Sequence, residues 1–195
     1  MKYKINYTRA PNIGKTSMIT WRFKMYTAEY FIDKLKMESH VEGGYSKEVY
    51  KNAHTITDGS YKIEFEDERS LSSTIHFLLK SGQVSKFHKL KFDEIWFYHY
   101  GCPIIVHMID ERGIYTQMKL GLNIEAGENV QILIPANVIF GAEPMEKDSF
   151  SLVSCMVSPG FDYRDFILYE EEELISSYPK HAKIIHKLNG NKKSE

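Results

Sequence analysis

The chain has 195 residues, 43% of them hydrophobic, with Lys+Arg 25 against Asp+Glu 26 and a formal net charge of -1. That is one domain's worth of sequence with enough apolar material for a core, which excludes a disordered chain. The near-neutral balance excludes the basic excess of a dedicated nucleic-acid binder, and no apolar run approaches the roughly 20 residues of a membrane span. Aromatic residues are the unusual component: Tyr 13, Phe 11 and Trp 2. Such a load calls for a large core, a wide interface or an aromatic-lined pocket.

Residues 1–27 form a basic arm, with Lys2, Lys4, Arg9, Lys15, Arg22 and Lys24 and no acid. An organelle transit peptide shares that bias, but this segment lacks strong amphipathicity. It reads as a loosely attached arm, or as sequence upstream of a start at Met18 or Met25. Asn6-Tyr7-Thr8 matches a glycosylation acceptor by chance, since no secretory segment follows Met1. A cytoplasmic location is expected. Cys102 and Cys155 stand far apart. A disulfide framework and a Cys-x-x-Cys site are therefore excluded, and two reduced thiols are expected.

A helix is predicted over 28–36, with Phe31, Ile32 and Leu35 on one face. Short runs rich in Ile, Val, Phe, Tyr and Thr follow at 73–79, 94–98, 104–109, 114–120, 130–134, 138–142, 150–157 and 161–168. Turn sequences separate them: Lys80-Ser81-Gly82, Gly101-Cys102-Pro103, Glu111-Arg112-Gly113 and Glu125-Ala126-Gly127. Many short strands at this spacing predict an all-β sandwich or barrel, and the lack of alternating helices excludes a βαβ architecture. Four glutamates, 170–173, then Lys180, Lys183 and Lys187 suit helix dipoles near the C-terminus. Pro179 should split that segment into two short helices, and 189–195 should fray.

One spacing carries more than fold class. Five residues separate Gly82 from His88; Leu90 follows after one more, Glu94 after three and Gly101 after six. This resembles the first motif of the cupin superfamily, G-x5-H-x-H-x3-E-x6-G, with Leu90 where a metal-binding cupin has its second His. The second cupin motif, laid over Pro135, puts its glycines on Asn129 and Asn137, its His on Phe140 and its last Asn on Pro144. Asn tolerates left-handed backbone geometry, so the turn can survive. Four further segments resemble one branch, the small sugar-epimerase-like cupins, formerly a domain of unknown function. They are Val41-Glu42-Gly43-Gly44-Tyr45, Ser85-Lys86-Phe87-His88, Asp93-Glu94-Ile95-Trp96 and Ser158-Pro159-Gly160-Phe161-Asp162. The departures from that branch are Val41 for Pro, Phe87 for Trp, and Phe140 for a polar residue.

The resemblance covers about 28–178, leaving 179–195 as a C-terminal helix and tail. It implies a double-stranded β-helix (jelly-roll) barrel with short flanking α-helices, and a homodimer. The epimerase label rests on similarity to rhamnose-pathway sugar-nucleotide epimerases, and a fold does not fix a function.

Strand parity places His88 and Leu90 on one face, and Glu94, Trp96 and Tyr98 on one face of the next strand. If both faces look inward, they line one cavity with Phe140 opposite. Two of the four cupin ligand positions, His88 and Glu94, are too few for a tight metal site. No cofactor is expected, beyond a divalent ion held loosely by that pair. His88 is the candidate general base, with Glu94 holding its tautomer and Tyr98 acting on the other side of a bound ring. The structural alternative is a His88–Glu94 hydrogen bond that only satisfies a buried carboxylate.

Phe87, Trp96 and Phe140 suit the apolar faces of a sugar-like ligand, and Glu42, Tyr45 and His76 are further contacts. Gly43-Gly44 can cup an anion or simply turn the chain into its first strand. Phe65, Phe77, Phe97 and Phe150 are assigned to sheet faces and a dimer seam. The leading expectation is a metal-independent isomerase or epimerase of a sugar or sugar-nucleotide derivative. The alternatives are a non-catalytic metabolite-binding or regulatory cupin and a metal-dependent cupin oxygenase. A small-molecule ligand is expected as partner, with neither nucleic acid nor membrane.

Overall fold

The computed structural model describes residues 26–57 and 67–190. Residues 1–25 of the arm at 1–27, Phe65 and the tail at 191–195 lie outside the described residues.

Helix α1 (Ala28–Leu35) starts where the Thr27 side chain accepts the Tyr30 N–H, and stops at Lys36 in left-handed geometry. Its apolar face, Phe31, Ile32 and Leu35, packs on Leu78, Phe150 and Leu152, as the periodicity predicts. Strands β1 (Glu38–Ser39), β2 (Tyr45–Lys51), β3 (Thr55–Ile56) and β4 (Arg69–Ser70) follow. The barrel's central strands are β5 (Ser73–Lys80), β6 (Ser85–Leu90), β7 (Glu94–Gly101), β8 (Ile104–Ile109) and β9 (Tyr115–Leu120). It is completed by β10 (Glu128–Asn129), β11 (Gln131–Ile134), β12 (Ile139–Pro144), β13 (Phe150–Val157) and β14 (Phe166–Leu168).

Two six-stranded sheets form, in the orders β1-β2-β5-β13-β7-β11 and β10-β9-β8-β12-β6-β14. Nearly all neighbours are antiparallel; β9 and β10 are parallel. The main core lies between the sheets. Phe77, Leu79, Trp96 and Val153 of the first meet Leu90, Val106, Leu120 and Phe140 of the second. These side chains alternate with outward ones, as a two-layer β fold requires. Among the described residues the architecture is the expected all-β jelly roll.

Two expected runs shrink or grow. Only Phe166–Leu168 of 161–168 is strand, because Asp162 caps a 3-10 turn at Tyr163–Asp165. The run at 94–98 continues to Gly101, and its ladder with β13 shifts between Leu152 and Val153. Asn137 takes a φ of 62°, the left-handed geometry expected of it.

The C-terminal segment divides at Pro179 into α2 (Glu171–Ser177) and α3 (Ala182–Asn189), joined by a 3-10 turn. Leu174, Ile185 and Leu188 pack on Phe87, Ile109 and Ile139, closing a second core outside the second sheet. Asn189 is not frayed. It is buried, its Oδ1 accepts the Phe87 N–H at 2.9 Å, and its Nδ2 donates to the Tyr169 carbonyl at 2.8 Å. A side chain that satisfies two backbone groups pins the helix to β6.

Arg69 and Asp165 form a buried pair, Nε to Oδ2 at 2.6 Å and Nη2 to Oδ1 at 3.2 Å. It ties β4 to the segment that carries Phe161. No helix among the described residues is long and apolar enough to cross a membrane.

Candidate functional site

His88 sits on β6 with its ring inside the barrel, 2% exposed. Its ring centroid lies 4.0 Å from that of Phe140 and 5.4 Å from that of Phe166. The Nδ1 is 2.7 Å from the Lys86 carbonyl oxygen. A carbonyl only accepts, so Nδ1 carries the proton and a neutral ring presents Nε2 as a lone pair. Burial drives the imidazole down to about 4, against the pull of the Lys86 carbonyl, so it is neutral at physiological pH.

That lone pair faces Glu42. The His88 Nε2 is 3.5 Å from Glu42 Oε1, and the His40 Nδ1 is 3.6 Å from the same oxygen. The Ser85 hydroxyl donates to Glu42 Oε2 at 2.8 Å. The His88 partner expected at Glu94 is therefore Glu42. Gly43 and Gly44 make this possible. Both have positive φ, and a Cβ would lie 2.2 Å from the Val84 oxygen at Gly43 and 2.6 Å from the Leu78 oxygen at Gly44. Their role is the close approach and turn into β2, which swings Glu42 inward. Burial raises the Glu42 carboxyl, opposed by His40 and Ser85.

Glu94 opens β7 and is buried. Burial, then the nearby Glu42 charge, pushes its carboxyl up to about 8. The Trp96 indole and Cys155 thiol act in the opposite direction without offsetting this. At neutral pH Glu94 is mostly an uncharged acid. Its Oε2 and the Trp96 Nε1 are buried without a well-formed hydrogen bond, the indole lying only near enough to the carboxyl to favour its charged form.

Glu42 and Glu94 share a cavity of about 50 Å³, room for a group the size of a few waters. His40, Ser73 and Cys155 add polar atoms to its wall, and Ile75, Leu90, Val157 and Phe161 add apolar ones.

The structure thus brings together Glu42 and Glu94 of the expected residues, with His88 directly behind Glu42. Trp96 and Phe140 lie in the core behind the wall, 6.3 Å apart between ring centroids. Four others lie elsewhere. Phe87 points outward into the α2/α3 cluster, since its neighbour His88 points inward. His76 also faces outward, with Nδ1 3.0 Å from the Ser154 hydroxyl that His99 contacts from the other side. Tyr45 packs against the α1 cluster, with the Lys80 ammonium 5.3 Å from its ring centre. Tyr98 donates its hydroxyl to the Gly101 carbonyl and borders a separate depression beside Tyr100 and Phe150. Burial pushes this phenol up to about 12, and it does not reach the Glu94 cavity.

His40, Cys155 and Phe161 were not anticipated. The signals for them existed: Phe161 sits inside the Pro-Gly-Phe-Asp segment, and Cys155 shares strand parity with Val153 and Val157.

The residues do not fit the metal of a full cupin. Leu90 and Phe140 bring hydrocarbon to two of its four ligand positions, and both are packed in the core. Among the described residues, no group of three or more His, Cys, Asp or Glu side chains is placed to hold a metal ion.

A family model described as Cupin superfamily (DUF985) matches residues 29–169. The crystal structure of protein SO0799 from Shewanella oneidensis is similar, with TM-score 0.77 and 41% identity, covering 85% of this chain and 98% of that one. A hypothetical protein from Leishmania major has TM-score 0.74 and 35% identity, covering 83% of this chain and 98% of its own. The uncharacterized protein YML079W of Saccharomyces cerevisiae is 27% identical over 165 residues, 74% of this chain and 76% of the relative.

Proposed function

The chain belongs to the cupin superfamily, in the family described as DUF985, and on that footing we propose that it binds a small sugar-like metabolite, whose reacting end enters the Glu42–Glu94 cavity, and isomerises it without a metal. The observation that carries this reading is the Glu94 carboxyl, a buried acid with an unpartnered oxygen in the wall of a cavity. Buried polar groups are otherwise satisfied, so an orphaned one in a cavity calls for a ligand.

In this reading Glu94 donates a hydrogen bond, then a proton, to a ligand carbonyl oxygen. Glu42 takes the proton from the adjacent carbon. Its captured proton is then shared with the His88 Nε2, so His88 supports the base from behind and does not touch the ligand. Return of that proton to the same carbon, once the enediol has turned its other face to Glu42, completes an epimerisation, and return to the neighbouring carbon an isomerisation; in either case an enediol hydroxyl gives its proton back to Glu94. The pattern is that of acid and base separated by environment.

The test is solvent deuterium exchange into a ligand found by thermal shift among sugars, sugar nucleotides, purines and organic acids. A ligand at a hundred times its dissociation constant stabilises the fold by about 2.7 kcal/mol. Exchange that persists undiminished in Glu42→Gln removes Glu42 as base.

One observation favours the non-catalytic alternative. The Tyr98 hydroxyl, expected on the opposite face of the ligand, is closed onto Gly101. A ligand that binds tightly yet never exchanges a C–H proton would establish that alternative. The proposal also takes the protein as a homodimer, and a monomeric mass by light scattering at micromolar concentration would remove that part.

A further inference from the structure

We infer that the group entering the Glu42–Glu94 cavity is uncharged and both donates and accepts hydrogen bonds, as a hydroxyl or primary amide does, and that anionic groups are turned away. This deepens the ligand-binding reading above and rests on it.

The wall decides the sign. The cavity has two carboxyl groups and no lysine or arginine among its lining residues. An anion entering it would meet Glu42 and Glu94 with no formal cation to pair with. The one positively chargeable group in the wall is His40, whose Nδ1 already faces the Glu42 oxygen at 3.6 Å. His88 supplies no charge either, because it is buried and lies behind Glu42. Uncompensated burial of a charge is among the costliest events in a protein interior.

The orphaned atoms decide the hydrogen bonding. The Glu94 Oε2 and the His40 Nδ1 both belong to residues of the cavity wall and are buried without hydrogen-bond partners. An imidazole nitrogen donates or accepts according to its tautomer, and a carboxyl oxygen accepts or, when protonated, donates. A carboxylate ligand accepts only and meets the carboxyl oxygens as another acceptor. An ammonium or amidinium donates only, so it offers no acceptor to the protonated Glu94 carboxyl. A hydroxyl or amide can satisfy an acceptor and a donor together.

One consequence concerns sugar nucleotides. If one is the ligand, its diphosphate stays outside the cavity and only an uncharged part of the sugar enters.

Acetamide, acetate and acetamidinium are planar and nearly isosteric, and they differ in charge. Each is titrated into the intact protein at neutral pH while the Trp96 indole resonance is followed by NMR. The chain has two tryptophans, and a Trp96→Phe sample assigns the signal. Acetamide should bind about tenfold more tightly than either ion, the minimum for leaving one buried polar group unmet. Acetate binding as tightly as acetamide, or more so, overturns the inference and leaves the ligand-binding reading standing. Acetamidinium binding most tightly overturns it in favour of a cation site. No response to any of the three overturns the inference and the ligand-binding reading together.

Discussion

The His88 Nε2 lies 3.5 Å from Glu42 Oε1, with the opposite ring nitrogen 2.7 Å from the Lys86 carbonyl oxygen. The carbonyl dictates the tautomer and burial dictates the charge, so His88 presents a lone pair to a carboxyl. Nitrogen-15 NMR of the imidazole should show the neutral Nδ1–H form at neutral pH. The ring should stay neutral on acidification until about pH 4. An imidazolium pattern at neutral pH would mean a permanent His88–Glu42 ion pair, and Glu42 could not serve as the base.

Tyr98→Phe should leave ligand affinity and any proton exchange unchanged. The phenol is closed onto Gly101 and borders a different depression. Isothermal titration with the ligand found by thermal shift checks this. A large loss of affinity would return Tyr98 to the site.

Much of the site was legible from spacing and parity. The interval from Gly82 to Gly101 located His88 and Glu94, and parity placed Leu90 in the wall with Glu94. The same parity rule excludes Phe87 from the pocket once His88 points inward. Tyr98 shows where parity stops. It shares a face with Glu94, but four residues at about 3.3 Å each carry it roughly 13 Å along the strand. Face is readable from sequence; depth along the barrel is not. The pairing of Glu42 with His88 was hidden for another reason. Glu42 reaches His88 from a separate loop, through glycines whose close approach to Val84 and Leu78 exists only after the sheet has formed.

Asn189→Ala should destabilise the fold by about 1–3 kcal/mol, because the buried Phe87 N–H loses its acceptor. Ligand affinity should not change, since this bond lies on the outer side of β6. Urea denaturation and isothermal titration on the same sample separate the two effects. Equal stability in the variant would mean that α3 is only loosely docked.

Removing one partner of the Arg69–Asp165 pair should be severe. Both side chains are buried, and Asp165 also accepts the Lys91 N–H through its backbone carbonyl at 3.0 Å. Asp165→Ala removes the bidentate carboxylate from a buried guanidinium and should cost about 3–5 kcal/mol. The double variant Arg69→Met with Asp165→Leu should cost less than either single change, because no charge is left unpaired. Loss of ligand binding in the single variant would follow from movement of the Phe161 segment. A double variant worse than both singles would show that packing, not charge, holds this corner.

Stability against pH tests the charge states of the site directly. Glu94 ordinarily titrates near 4.5, and in the folded protein it is raised to about 8. Between these values the folded state holds a proton that the unfolded chain has lost, so stability falls as pH rises. Glu42, raised by burial, tilts the same way. His88 runs opposite. Its ordinary 6.5 drops to about 4 on folding. Between those values the unfolded chain holds the extra proton, and stability rises with pH. The slopes of Glu94 and His88 nearly cancel between about pH 4.5 and 6.5 and part above it. The wild type should therefore lose about 1 kcal/mol between pH 6.5 and 8, where the opposition from His88 dies away. Glu94→Gln keeps the shape and removes the titration. Its stability should rise from about pH 4 to 6.5 and then lose most of the wild-type decline. Urea midpoints across this range measure both profiles. A wild type that gains stability from pH 6.5 to 8 would show that Glu94 is already ionised at neutral pH, and the acid in the proposed reaction would be gone.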